Sequence, residues 1–127
     1  MILGIGCDIV DVDRIKKAHK KMGWTFVHRI LGPNELEVFS GLEGGQEVIY
    51  LARRFAAKEA FAKAWGTGMT TQLDWRDVQV LNEANGRPIL SFCKDLREAV
   101  YSTRRHFNVT ISDNDDNVIA FVTMEAA

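Results

Sequence analysis

The feature that most limits how this chain can fold is the stretch from about Gln46 to Trp65, where Ile49, Ala52, Ala56, Ala60 and Lys63 recur at spacings of three or four before Gly66. That period predicts one long helix closed by a glycine C-cap. Shorter elements surround it. Residues 2–10, dense in Ile, Leu and Val, read as a buried first strand. Asp11 or Asp13 caps a helix running to about Met22 and ending at Gly23, Trp24 to Leu31 forms a second short helix, and Pro33 opens a third through Phe39. Val78 to Leu81 and Ile89 to Phe92 flank the turn signal Asn85-Gly86, and Lys94 to His106 reads as another helix. Asn108 to Ser112 and Val118 to Met124 close the chain as a hairpin around an acidic turn. No internal repeat, low-complexity tract or linker divides the sequence. The expectation is a single α+β domain over residues 1–127, a mainly antiparallel sheet with helices packed on it.

With 127 residues, 46% hydrophobic and 26% charged, such a chain removes about two thirds of its unfolded surface from water without disulfides or a structural metal. Cys7 and Cys93 have no C-x-x-C spacing and read as free thiols packed as small apolar groups. Sixteen Lys and Arg against 17 Asp and Glu give a net charge of −1, which excludes a surface wholly committed to nucleic acid but leaves room for local patches. The longest stretch free of Asp, Glu, Lys and Arg is the ten residues from Ala64 to Leu73, too short to span a bilayer, and the opening Met1 to Cys7 has no basic leader. A cytoplasmic protein without a membrane partner is expected.

Three constellations carry potential chemistry. In Gly4-Ile5-Gly6-Cys7-Asp8, strand alternation puts Ile2, Gly4, Gly6, Asp8 and Val10 on one face, the glycines leaving space beside a carboxylate that wants a cation. That cation is a metal or a lysine, unless Asp8 simply caps a nearby helix. The segment is not a dinucleotide fingerprint, since Ile9 stands where a third glycine is needed. On the long helix, Glu59 and Lys63 are i and i+4 among Ala56, Ala60 and Ala62, an acid and a base side by side or a routine surface ion pair. Gly66-Thr67-Gly68 offers backbone N–H groups and a hydroxyl to a phosphate, or only caps the helix. The third is the basic helix of Arg14, Lys16, Lys17, Lys20 and Lys21, in which Arg14, Lys17 and Lys21 share a face. That face suits nucleic acid, anionic lipid or an acidic protein, or is merely solvated. His19, His28 and His106 are scattered without ligand spacing and receive no catalytic role.

Taken together, Gly4-Ile5-Gly6-Cys7-Asp8-Ile9-Val10 leading to Arg14-Ile15, and Arg54-Phe55-Ala56-Ala57-Lys58-Glu59-Ala60 leading to Lys63-Ala64-Trp65-Gly66-Thr67-Gly68, resemble the holo-acyl-carrier-protein synthases, small 4'-phosphopantetheinyl transferases. The likeness covers nearly the whole chain, with Asn85-Gly86-Arg87-Pro88 and Val109 to Asp113 falling where the family has its hairpin and last strands. It implies that family's fold and a homotrimer with active sites between subunits. It implies transfer of 4'-phosphopantetheine from coenzyme A to a serine of apo acyl carrier protein, releasing adenosine 3',5'-bisphosphate in support of fatty acid biosynthesis. By the same resemblance Asp8 and Glu59 hold Mg²⁺ and act in catalysis with Lys63. Arg54, Lys63, Gly66, Thr67 and Gly68 contact coenzyme A, while Arg14, with Lys17, Lys21 and Arg29, docks the acidic carrier protein. No nucleic acid partner follows. The chain departs from the family at Asn108 and Asp113, where many members carry histidines, which removes support for a coenzyme contact from that strand. Two other readings use the same residues: a non-enzymatic binding module built on the basic helix, and a different Mg²⁺-dependent phosphotransferase acting on another pyrophosphate.

Overall fold

A computed structural model describes residues 1–69 and 73–127. The chain runs β1 (Ile2–Asp11), α1 (Val12–Met22), α2 (Trp24–Ile30), α3 (Pro33–Phe39), α4 (Gln46–Trp65), a 3-10 turn at Trp75–Asp77, β2 (Val78–Asn82), β3 (Pro88–Phe92), α5 (Lys94–Ser102), β4 (Arg105–Asp113) and β5 (Asn117–Ala126). β1, β5 and β4 form an antiparallel sheet in that order, and β2 pairs antiparallel with β3 in a separate hairpin. The α+β arrangement with helices packed on antiparallel strands is the one expected. Among the described residues no helix is long and apolar enough to cross a membrane.

Every second residue of β5, from Val118 through Ala120 and Val122 to Met124, is buried in one core cluster with Val10 of β1 and with Ala56, Ala60, Phe61 and Ala64 of α4. Gly4 and Gly6 belong to the same face of β1, but they do not open a pocket. A Cβ at Gly6 would collide with the Ala60 carbonyl, and one at Gly4 with the Ala64 carbonyl. The glycines therefore bring strand and helix into backbone contact, and α4 fills the space expected beside Asp8.

The opposite face of the sheet corrects the reading of a buried first strand. Leu3, Ile5 and Ile9 of β1 and Ile119 and Phe121 of β5 are exposed, Ile5 and Ile9 at 60% and 65%. Cys7 stands exposed among them instead of packing in a core, and Cys93 is half-buried; both thiols are free. The helix expected to reach His106 ends at Ser102. Arg104 takes the left-handed conformation, φ 52°, and turns the chain into β4. Strand pairing wins there because alternation carries Phe107 into an aromatic cluster with Phe61, Trp65 and Phe92.

Candidate active site

Asp8 shares the face of β1 that meets α4, where Glu59 and Lys63 lie one turn apart. Lys63 Nζ donates to Asp8 Oδ1 at 3.1 Å and to the Cys7 carbonyl at 2.9 Å, so the lysine expected to meet a phosphate also ties helix to strand. Asp8, Glu59 and Arg14 line one cleft of about 240 Å³ walled by Val10, Ile15 and Phe55. Burial, then the neighbouring Asp8 charge, push the Glu59 carboxyl above the ordinary glutamate range, with Lys63 opposing. Asp8 is thus paired with the Lys63 ammonium, while no salt bridge among the described residues holds Glu59, and the Arg14 guanidinium lies in the same cleft. Among the described residues no group of three or more His, Cys, Asp or Glu is placed to hold a metal. A pair of carboxylates fits Mg²⁺, which keeps several waters and takes its other oxygens from substrate phosphates.

The other expected residues divide. Arg14 is at the cleft, whereas Lys17 is exposed and paired with Asp13 at 2.9 Å, which pulls the Asp13 carboxyl below its usual range. Lys21 is exposed near the end of α1. Arg29 lies on α2 and lines a separate hollow with His28 and Arg76. Gly66 and Gly68, at φ 103° and 64°, both donate their N–H to the Ala62 carbonyl, at 3.0 and 3.1 Å. They cap α4, a conformation glycine adopts without strain, and their N–H groups are not free for a phosphate. The Thr67 hydroxyl donates to the Gly68 carbonyl at 2.8 Å.

Arg54 is buried away from the cleft. Its Nε and Nη2 donate to the Val80 carbonyl, Nη2 donates to Asn82 Oδ1 at 2.7 Å, and its guanidinium lies 4.0 Å from the Tyr50 ring centroid. Within this chain it holds the β2–β3 hairpin to α4. The positions that depart from the family are engaged internally: Asn108 donates to Thr123 Oγ1 and Glu125 Oε1, and Asp113 pairs with Arg53 at 2.6 Å. Sequence reading gave no role to Lys58 and Glu35, which form a wholly buried ion pair at 2.6 Å. Burial pulls the Lys58 ammonium below its usual pKa, against the pull of Glu35. The available signal was the helical spacing of Lys58 to Leu51, Phe61 and Ala62, which places it on the apolar side of α4.

Residues 4–122 match the model of the 4'-phosphopantetheinyl transferase superfamily. The chain is similar to the holo-[acyl-carrier-protein] synthase of Polynucleobacter necessarius, 40% identical over 125 residues that span 96% of this chain and 92% of that protein. Its fold is similar to the holo-[acyl-carrier-protein] synthase of Neisseria meningitidis, with a TM-score of 0.91 and 41% identity over 98% and 99% of the two chains. The Bacillus anthracis enzyme, solved in complex with CoA (3',5'-ADP), is similar at a TM-score of 0.85 and 36% identity over 100% and 99%.

Proposed function

This chain belongs to the 4'-phosphopantetheinyl transferase superfamily, among the holo-[acyl-carrier-protein] synthases, and on that premise we propose how its residues carry out the transfer. A serine hydroxyl of apo acyl carrier protein attacks the β-phosphorus of coenzyme A. A serine oxygen–phosphorus bond forms, the bond to the adenosine 3',5'-bisphosphate oxygen breaks, and the serine proton passes to a base. The observation that supports this most is the convergence of Asp8, Glu59 and Lys63 beside Arg14. Asp8 and Glu59 would hold Mg²⁺, which when bound neutralises the charge gathering on the pyrophosphate. Glu59, or a water held by it, accepts the serine proton. Lys63 donates to the phosphate, leaving or sharing its contact with Asp8. The attacking serine belongs to the carrier, which accounts for the absence of a nucleophile–base pair from the sequence motifs. Release of adenosine 3',5'-bisphosphate from coenzyme A tests the reading: one equivalent per apo carrier protein is expected, and release without carrier, or none with it, overturns it.

Arg14 docks the carrier protein's acidic surface, with Lys17 and Lys21 behind it on α1 and Arg29 outside that face. Arg14→Ala should raise KM for carrier protein about tenfold with kcat nearly unchanged, and the difference should shrink as salt is added. Equal KM values at low salt would remove Arg14 from the dock.

The apolar outer face of β1 and β5 belongs in an assembly, and two further copies of the chain cover it in a homotrimer. Contiguous exposure of Ile5, Ile9, Ile119 and Phe121 is what a chain with an apolar subunit-facing surface presents when alone, and a closed ring of three joins such surfaces by head-to-tail contacts. Light scattering should give three times the 14.3 kDa chain mass, and Phe121→Asp should reduce it to one. An unmodified chain that scatters as a monomer overturns the trimer. The product, a holo carrier protein, is what fatty acid synthesis consumes, and that is the role we assign.

A further inference from the structure

Lys58 has no part in the chemistry above, yet it is the neighbour of Glu59 and its side chain is wholly buried. Successive helix residues point about 100° apart, so an anchor on one fixes the direction of the next. The anchor here is complete. Lys58 Nζ donates to the Ile30 carbonyl at the end of α2, to Glu35 Oε1 on α3 and to the Trp75 carbonyl in the 3-10 turn, at 2.6, 2.6 and 3.0 Å. Glu35 also accepts the Gly32 N–H on Oε1 and the Val80 N–H on Oε2, each at 2.9 Å. One ion pair therefore gathers α2, α3, the 3-10 turn and β2 onto one position of α4. A second link leads back to the cleft: the Trp75 ring stacks on Phe55 with centroids 4.8 Å apart, and Phe55 forms a cleft wall beside Glu59. Cohesion alone does not call for this arrangement, because well-packed apolar residues of similar volume often stabilise a core as well as a buried ion pair does.

We propose that Lys58, clamped by Glu35, is a positioning residue that sets the rotation of α4, and with it the direction of Glu59 and the seat of Phe55 in the cleft. The proposal rests on the reading of Asp8 and Glu59 as the metal's carboxylates. Its test compares Lys58→Met with Val100→Ala, a core truncation on α5 outside the cleft, at a temperature where circular dichroism finds each variant folded. Transfer assays separate kcat from KM, and electron paramagnetic resonance follows Mn²⁺ binding with coenzyme A present. Lys58→Met should lower kcat about tenfold to a hundredfold and weaken Mn²⁺ binding about tenfold, with KM for carrier protein within about twofold, the pattern of a displaced catalytic group. Val100→Ala should move neither quantity by more than about twofold. If Lys58→Met does not fold, the double variant Glu35→Gln/Lys58→Met, which leaves no uncompensated buried carboxylate, carries the same comparison. A folded Lys58 variant with wild-type kcat and Mn²⁺ affinity overturns the proposal, as does an equal loss in Val100→Ala. Glu59→Ala separates the two readings: if it binds Mn²⁺ as tightly as the unmodified chain, the metal reading fails and the kcat comparison alone decides the role of Lys58.

Discussion

Glu59→Ala is expected to lower kcat/KM by about a thousandfold or more while the protein melts no earlier than the unmodified chain. Both halves follow from where the carboxyl sits. Burial and the Asp8 charge disfavour its ionised form, with only Lys63 in its favour. A carboxyl whose folded pKa is raised stabilises the fold at pH values below its unfolded pKa, and that contribution is lost as pH rises through the folded value. At neutral pH the ionised Glu59 is therefore a cost to the fold, and its removal relieves the cost. The same shift has a catalytic consequence, because a metal binding only the ionised form must displace a proton. Raising the Mg²⁺ concentration should recover activity lost at mildly acidic pH. Asp8→Ala should abolish transfer too, but it also leaves Lys63 without its carboxylate partner. Wild-type turnover in folded Glu59→Ala would remove Glu59 from the chemistry.

Gly6→Ala should be the most damaging single-methyl change in the chain, costing about 3 kcal/mol or more of a total stability of about 5–15 kcal/mol. The added methyl meets the Ala60 carbonyl, and a helix backbone has no rotamer by which to move aside. The strand must separate from α4, which also parts Asp8 from Glu59 and Lys63, so transfer should fail together with stability. Gly41→Ala is the matched control. Its Cβ finds only the Val38 carbonyl at 3.7 Å, an ordinary contact, and its melting temperature should stay within a few degrees of the unmodified protein's. Coincident thermal melts of Gly6→Ala and the unmodified chain would mean that β1 and α4 are not in backbone contact.

These two positions mark how far the sequence was legible. The period of Ile49, Ala52, Ala56 and Ala60 is local, and with Gly66 it located α4 and its C-terminal end. Asp8 and Glu59 were legible as a strand carboxylate and a helix carboxylate. Their meeting depends on Gly4 and Gly6 lying against Ala64 and Ala60, a contact between elements more than fifty residues apart that no local pattern encodes. Leu3, Ile5 and Ile9 carry the composition of a core because apolar residues look alike whether they face their own helix or the outer side of the sheet. Arg54 and Lys58 stood in a motif that points to chemistry, while their charges are satisfied inside the fold by Val80, Asn82, Ile30, Glu35 and Trp75. Those partners come from four elements other than α4, namely β2, α2, α3 and the 3-10 turn. The early end of α5 was hidden because Arg104 reverses the chain by a left-handed residue that its side chain does not announce.

The most direct measurement is the intact mass of an apo acyl carrier protein after incubation with this chain and coenzyme A, once with Mg²⁺ and once with excess chelator. The transfer reading predicts a gain of one phosphopantetheine group with the metal and none with chelator. An unchanged carrier mass in the presence of Mg²⁺, with the chain folded and trimeric, would contradict it.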